Sequence, residues 1–484
     1  MLFNSLHFVF FFIVITTTYY LIPYRYRWLL LLIGSCYFYM AFVPVYIIIL
    51  GFTIIVDYFS GLYIEKSSGK TRKLYLVTSI VANLSVLFIF KYYNFLNISF
   101  DTLLGNIGLT SNLPFLTILL PIGLSFHTFQ AMSYTIEVYR NKQKAERHFG
   151  IYALYVMFYP QLVAGPIERP QNVLHQFYEK HSYKADNVAK GLKLMAWGMF
   201  KKVVIADRLA VIVNNVYDTP TNFKGMPLIV ATILFAFQIY CDFSGYSDIA
   251  IGSAHTLGFR LMKNFESPYF STSPSEFWKR WHISLSTWFR DYLYIPLGGN
   301  RVGTSRLYFN LLVTFFISGL WHGANWTYII WGTLNGLYII LEIMSKTLRN
   351  SIKYKLGLNE FSGINRMMSI TITFSLICVA WIFFRAKNLS DGYYILTHLF
   401  TNFAGSFQYL KPSYLGSTLY DYTVSLFALI VLFFVETVQR STSINGVVKS
   451  WPLLYRVSLY YILVMIILLF GVFNVQEQFI YFQF

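Results

Sequence analysis

Residues 315–326 read FFISGLWHGANW, an apolar run that carries one ionisable side chain, that of His322. An ionisable residue at membrane depth costs free energy, and such residues usually serve a functional site or a pathway. Histidine is the side chain that exchanges a proton most readily near neutral pH. The stretch therefore predicts a chain that folds inside a bilayer and carries out proton chemistry there.

The composition of the whole chain agrees with this prediction. Of its 484 residues, 56% are hydrophobic and only 12% are charged, which is well below the charged fraction of soluble domains. Apolar runs of about twenty residues recur, and each could cross a hydrocarbon core of roughly 30 Å. We therefore expect an all-α polytopic membrane protein in which residues 1–484 form one domain. The net charge of +17 is assigned to loops that fix topology, and no nucleic-acid partner is expected.

The positions of basic loops predict about eleven to thirteen spans, with the N-terminus outside. Arg25 and Arg27 follow the first apolar run directly, so this run is interpreted as a span and not as a cleaved signal peptide. Prolines, glycine and lysines interrupt residues 151–210, which predicts re-entrant or interfacial helices there. The predicted spans lie at about 6–22, 28–42, 45–64, 74–96, 114–138, 227–252, 307–324, 326–345, 367–385, 422–438 and 453–473.

Residues 273–301 predict a basic amphipathic helix near the cytoplasmic interface. The segment opens with Ser-Pro-Ser-Glu at 273–276, a capping-box pattern, and the helix should end before the proline at position 296. His282 and Ser286 are four residues apart and should share one face of this helix. His282 could be a functional residue, or it could be an interfacial histidine whose hydrogen bond serves only the structure. An aromatic face and its neighbouring cations comprise Trp278, Trp281, Leu285 and Trp288, with Lys279, Arg280 and Arg290.

Two small-residue and polar patterns surround His322. Gly319 and Gly323 form a small-xxx-small pair, which predicts close approach of another helix. Ser318 and His322 are also four residues apart and should lie on a neighbouring face. A buried neutral histidine could accept a proton, and a structural histidine bonded to a neighbouring helix is the alternative left open.

Two acids interrupt the apolar segment 238–249, namely Asp242 and Asp248. They could orient a catalytic histidine or pair with an arginine, and pairing for structure is the favoured interpretation. No metal site is predicted, because no histidine lies at ligand spacing and the three cysteines lack metal spacing. Helix-end or buried-pair roles are predicted for the remaining charged residues in or near spans, which are Asp57, Lys91 and Glu137.

At these residues the sequence resembles the membrane-bound O-acyltransferase family, in particular its alginate O-acetyltransferase-like bacterial branch. The motif-bearing core occupies 116–345, between N-terminal spans at 1–115 and C-terminal spans at 346–484. The resemblance implies a ring of tilted helices around a thinned centre, with a tunnel from a cytoplasmic donor pocket to an external acceptor pocket. The matching motifs lie at 121–126, 158–167, 240–248, 276–299, 318–323 and 479–484.

The resemblance also implies roles for individual residues. His322 would be the catalytic general base and His282 the second active-site residue, while His127 stands where an aromatic residue is expected. Residues implied to line the substrate tunnel are Trp281, Ser286, Ser318, Trp321, Asn325, Asp242 and Asp248. Residues that suit a pyrophosphate-bearing donor are Lys279, Arg280, Arg290 and Arg301.

The activity implied is transfer of an acetyl group from cytoplasmic acetyl-coenzyme A, used as a substrate and not as a bound cofactor. The acceptor would be an exported, alginate-like polysaccharide, reached directly or through a periplasmic or extracellular esterase-like partner, at a bacterial cytoplasmic membrane. D-alanyl transfer from a carrier protein to teichoic acid and O-acetylation of peptidoglycan are the alternatives. A lipid-linked sugar transporter, or a scaffold without chemistry, is the alternative from outside enzymology.

Overall fold

The computed structural model describes residues 1–111, 113–118, 121–163, 165–355, 362–442, 444–473 and 479–480. Within these residues every regular element is helical. The chain divides into two compact units, the first formed by 1–195 with 246–262 and the second by 196–245 with 263–484. Residues 481–484 of the C-terminal motif lie outside the described part of the chain.

The helices follow one another closely along the chain. Up to residue 199 they are α1 (Leu6–Leu21), α2 (Arg27–Met40), α3 (Ile47–Lys66), α4 (Gly69–Leu87), α5 (Tyr93–Gly105), α6 (Leu124–Tyr139), α7 (Phe149–Met157), α8 (Tyr159–Leu162), α9 (Pro170–Val173) and α10 (Ala185–Met199). From residue 207 they are α11 (Asp207–Asp218), α12 (Met226–Thr256), α13 (Pro274–Arg280), α14 (Ile283–Phe289), α15 (Thr304–His322), α16 (Trp326–Met344), α17 (Lys346–Lys355), α18 (Ser362–Arg385), α19 (Leu389–His398), α20 (Leu419–Ser441), α21 (Ile444–Lys449) and α22 (Leu453–Phe470).

Seven helical segments of the described chain are long and apolar enough to cross a membrane, which confirms the all-α polytopic class. They are Pro44–Lys66, Gly69–Gly105, Met226–Thr256, Trp326–Met344, Gly363–Arg385, Leu419–Arg440 and Leu453–Phe470. This number is below the eleven to thirteen predicted, because α1, α2 and α6 have 16, 14 and 16 residues. The 19-residue α15 is long enough but carries polar residues such as Asn310 and His322.

Two predicted boundaries in the first unit are wrong. The helical segment that starts at Gly69 continues to Gly105, through a π-helical turn at Phe88–Tyr92, so much of the predicted loop 97–113 is helix. The span predicted at 114–138 begins as a helix only at Leu124. Gly123 precedes it with φ of 75°, a left-handed conformation that favours glycine and stops a helix from extending backwards.

Residues 151–163, the first part of the stretch predicted to hold re-entrant or interfacial helices, are buried in protein. The short helices α7 and α8 meet there at Phe158. The amide of Tyr159 donates to the hydroxyl of Ser35 at 3.0 Å, and the side chain of Gln161 donates to the carbonyl of Tyr155 at 2.6 Å. Broken backbone is tolerated at such depth because side chains satisfy its polar groups.

Glycines allow α15 and α16 to approach closely in the second unit. A Cβ atom added to Gly319 would lie 2.3 Å from the carbonyl oxygen of Tyr328 and 3.1 Å from Cα of Gly332. A Cβ atom added to Gly332 would lie 2.3 Å from the carbonyl oxygen of Phe315. The close approach predicted at Gly319 is therefore present, whereas Gly323 ends α15 against the ring of Tyr328.

We expect Gly319→Val to destabilise the protein by about 1–3 kcal/mol, because a branched side chain would force the two backbones apart. Thermal unfolding of the purified protein in detergent measures this effect. Gly51→Val is the matched control, since beyond its chain neighbours and the backbone of its own helix, α3, no atom lies within 4 Å of a Cβ added to Gly51. Equal melting temperatures for the two variants would contradict the proposed helix contact.

Candidate active site

His282 lies at a sharp break between two short helices. The segment expected to be one helix from residue 274 onwards consists of α13, which ends at Arg280, and α14, which begins at Ile283. His282 itself adopts a left-handed conformation, with φ of 43° and ψ of 55°. The prediction of one continuous helix is therefore wrong, and His282 and Ser286 do not share a helix face.

The start of this region follows the capping pattern only in part. The hydroxyl of Ser273 accepts a hydrogen bond from the amide of Glu276 at 3.2 Å, as predicted. The carboxylate of Glu276 instead accepts from the amide of Thr272 at 2.8 Å. Ser286 lies further on, where its hydroxyl donates to the carbonyl of Trp281 at 3.1 Å and ties α14 to the break.

Asn264, which the sequence analysis did not single out, holds the break together. Its backbone carbonyl accepts from the amide of Ile283 at 2.9 Å, and its side-chain oxygen accepts from the amide of Ser284 at 3.3 Å. Two of the first amides of α14, which have no partner inside the helix, are thus satisfied. The same oxygen lies 3.1 Å from Nδ1 of His282 and 2.9 Å from the hydroxyl of Ser284.

His282 is completely buried, with 0% of its surface exposed. Its ring meets the edge of Phe243, with centroids 4.6 Å apart. Burial penalises the charged imidazolium and lowers the pKa of His282, which lies outside the spanning helices, to about 3. The side chain is therefore neutral at physiological pH.

His322 is the last residue of α15 and is also buried, with 4% of its surface exposed. Its ring lies 4.8 Å from that of Trp331 and 5.5 Å from that of Phe384. The ring of Trp321 lies 4.9 Å from that of His322 and 6.5 Å from that of His282. Both histidines therefore contact the same indole, although 40 positions separate them in the sequence.

Three other residues predicted to line the tunnel belong to this unit, and each is either buried or hydrogen-bonded. Trp281 is buried, with its ring 5.1 Å from those of Trp381 and Phe265. Ser318 is buried on α15, one turn before His322. Asn325 caps α16, because its side chain accepts from the amide of Thr327 at 3.1 Å and donates to the carbonyl of Lys387 at 3.0 Å. A full tunnel-lining role for these residues remains a prediction.

Asp242 belongs to a buried ionic cluster. The ammonium of Lys202 lies 2.7 Å from the carboxylates of both Asp207 and Asp242. Asp242 also accepts a hydrogen bond at 2.7 Å from the amide of Ile480. The structural pairing favoured from the sequence is present, with a lysine in place of an arginine. Asp248 is half-buried on the part of α12 that belongs to the first unit.

The C-terminal motif contributes a wall next to this cluster. Phe479 and Ile480 are buried, and the ring of Phe479 lies 5.6 Å from that of Phe243. Phe243 in turn contacts His282. Residues 479–480 therefore pack on the same helical segment that carries Asp242 and supports the candidate active-site histidine.

The cations predicted to bind the donor lie at or near the surface of the second unit. Lys279, Arg290 and Arg301 are exposed, while Arg280 is half-buried. The guanidinium of Arg280 pairs with Glu276 at 2.9 Å, and that of Arg290 pairs with Asp291 at 2.8 Å. A donor phosphate would have to compete with these carboxylates at two of the four positions. A donor-binding role for the four cations remains a prediction.

His127 lies in the first unit. It is buried on α6, and its Nε2 atom lies 3.2 Å from the hydroxyl of Thr53. The first unit also contains a buried polar network in which Asp57 accepts hydrogen bonds from Ser79 and Asn83. The buried-partner role predicted for Asp57 agrees with these contacts. A role for His127 as a proton carrier remains a prediction.

Fold and site together define a polytopic helical membrane protein with two buried histidines on one tryptophan. Residues 70–359 match the model of the MBOAT, membrane-bound O-acyltransferase family. The chain belongs to the membrane-bound O-acyltransferase family and is a multi-pass membrane enzyme that transfers acyl groups to oxygen.

Three named relatives illustrate the range of similarity. The "probable alginate O-acetylase AlgI" of Pseudomonas aeruginosa is 40% identical over 83% of this chain and 75% of its own length. The peptidoglycan O-acetyltransferase of Helicobacter pylori is 35% identical over 76% of this chain and 72% of its own length. The teichoic acid D-alanyltransferase of Streptococcus thermophilus is 26% identical over 54% of this chain and 68% of its own length.

Proposed function

We propose that this protein transfers an acetyl group from cytoplasmic acetyl-coenzyme A to a hydroxyl group of an exported, alginate-like polysaccharide. The observation that carries the proposal is the ring contact of Trp321 with both His282 and His322. It supports one buried reaction centre in which two imidazoles meet an aromatic wall. The name of the Pseudomonas aeruginosa relative supports acetyl as the group and alginate as the acceptor.

In the proposed reaction His322 is the general base. The proton of the incoming hydroxyl passes to the imidazole while the hydroxyl oxygen bonds to the thioester carbonyl carbon. The carbon–sulfur bond then breaks, and the departing thiolate takes the proton back from the imidazolium. The products are an ester and a free thiol, so the histidine ends as it began. A positioned base of this kind contributes about 10²–10⁴-fold in rate.

The two substrates are proposed to reach this centre from opposite sides of a bacterial cytoplasmic membrane. A polyanionic donor cannot cross lipid, whereas its thioester end could enter a tunnel from the cytoplasm. The acetyl group would leave on the other side, directly or through an esterase-like partner that hands it to the polymer. Burial of both histidines supports a centre shielded from bulk water on either side.

Isotope labelling tests the group and the acceptor together. Cells that express the protein are grown with ¹³C-labelled acetate, and their exported polymers are analysed by mass spectrometry against cells that lack it. We expect labelled acetyl esters on the polysaccharide only when the protein is present. Labelled acetyl on peptidoglycan, or D-alanyl esters on teichoic acid, would replace the proposed acceptor or group. Absence of any new ester would contradict acyl transfer to a polymer.

Acetylation of peptidoglycan is the second candidate. The Helicobacter pylori relative that carries this name is almost as similar to the chain as the alginate O-acetylase. The D-alanyltransferase matches only 54% of the chain, which makes D-alanyl transfer a weaker candidate. In this protein either activity would use the histidine chemistry proposed above, so the polymer analysis is what separates the candidates.

A further inference from the structure

The side-chain amide of Asn264 has a defined orientation in this structure. A backbone N–H can only donate, and the amide of Ser284 points at the Asn264 side chain over 3.3 Å. The Asn264 atom at that position must therefore be the carbonyl oxygen, Oδ1, since its NH₂ group cannot accept. The backbone thus fixes an assignment that side-chain contacts alone leave open.

This orientation determines which nitrogen of His282 carries the proton. Nδ1 of His282 lies 3.1 Å from Oδ1 of Asn264, and an amide oxygen can only accept. The hydroxyl of Ser284 donates a hydrogen bond to the same oxygen at 2.9 Å. Because the Ser284 hydroxyl hydrogen is used in that bond, its oxygen, which lies 3.4 Å from Nδ1 of His282, faces Nδ1 with a lone pair. Both neighbours of Nδ1 therefore require a donor N–H.

We infer that Asn264 is a positioning residue that holds His282 in the Nδ1–H tautomer, so that Nε2 offers a lone pair to the substrate. A neutral imidazole has a single N–H, and in this tautomer none is available at Nε2. His282 then cannot stabilise a developing oxyanion from Nε2 by donating a hydrogen bond. It accepts one instead, from a substrate N–H or O–H other than the hydroxyl that His322 deprotonates, such as an amide N–H of the donor arm.

This inference rests on the proposed function only for the statement that His282 meets substrate. The tautomer itself follows from contacts inside the second unit. His282 has a left-handed backbone conformation, and Asn264 accepts hydrogen bonds from the two amides that follow it, those of Ile283 and Ser284. One residue therefore sets both the backbone turn and the protonated nitrogen of the ring.

Nitrogen-15 NMR of the full-length protein in lipid tests the tautomer directly. Histidine labelled with ¹⁵N gives different ring shifts for protonated and unprotonated nitrogens, and the His282→Asn variant identifies the signals of His282 by their loss. We expect a protonated Nδ1 and an unprotonated Nε2. The opposite pattern, with the proton on Nε2, would overturn the inference.

Two substitutions of Asn264 test its role. Asn264→Asp keeps an acceptor beside Nδ1 and should keep the tautomer and at least a tenth of the transfer activity. Asn264→Leu removes the acceptor and should give mixed tautomer signals with more than a tenfold loss of activity. Thr287→Ala, whose hydroxyl bonds only backbone carbonyls of α14 among the contacts described, is the control for local disturbance.

The outcomes separate this inference from the proposed function. If Asn264→Leu retains a protonated Nδ1, Asn264 does not set the tautomer and the inference is wrong. If the tautomer changes while transfer activity stays at the wild-type level, Asn264 acts as inferred but His282 does not meet substrate. Because NMR needs no turnover, an inactive variant still gives a result, and melting temperatures identify any variant that fails to fold.

Discussion

His322→Gln is expected to reduce acyl transfer by about 10²–10⁴-fold, the contribution of a positioned general base. Glutamine can fill much of the space between Trp331 and Phe384, but it cannot take up and return a proton. The measurement is the acetyl content of the exported polysaccharide at equal protein abundance. A large loss of acetylation without loss of protein would indicate a chemical and not a structural role.

The matched control is His398→Gln in the same unit. His398 is half-buried at the end of α19, where its ring stacks on that of Tyr394 with centroids 4.0 Å apart. It lies outside the proposed reaction centre, so acetylation should remain near the wild-type level. If both variants acetylate normally, the general-base assignment of His322 is wrong.

Lys202→Met is expected to destabilise the protein by about 3–5 kcal/mol, because two buried carboxylates would lose the cation between them. Lys202 is 1% exposed at its side chain, and both ion pairs span 2.7 Å. Uncompensated charge in a low-dielectric interior is far more costly than a lost surface pair. Thermal unfolding in detergent at neutral pH measures the effect.

Two further variants make this prediction specific. Adding Asp207→Asn and Asp242→Asn to Lys202→Met removes the stranded charges, and should recover most of the lost stability. Lys387→Met is the surface control, since its pair with Asp218 spans 3.0 Å at exposed side chains and should be worth less than about 1 kcal/mol. A single Lys202→Met variant that melts like the control would show that the buried cluster does not depend on this lysine.

The sequence predicts those features that depend on local composition and spacing. The membrane class follows from apolar runs, and the close helix approach at Gly319 follows from a small-residue pattern. The hydroxyl of Ser273 caps a helix as its motif predicts. In each case the determining residues are neighbours in the chain, so pattern and structure report the same physical constraint.

The geometry at His282 depends instead on a distant residue. The pattern from residue 274 onwards favours one amphipathic helix, and positive φ is uncommon for any residue other than glycine. The break exists because Asn264, 18 positions earlier, satisfies the amides that the break exposes. A lone asparagine in an ordinary segment gives no signal of this role. Lys202, the partner of Asp242, could not be predicted from the sequence for the same reason, since 40 positions separate the two residues.

The contact between Asp242 and the amide of Ile480 has a consequence for biosynthesis. The two residues are 238 positions apart, yet their hydrogen bond completes the packing beside Phe243. The ribosome must therefore synthesise almost half of the chain after α12 has been made before that packing can form. Nascent chains in the translocation machinery that stop at α22 would contain every candidate catalytic side chain and still be incomplete around them.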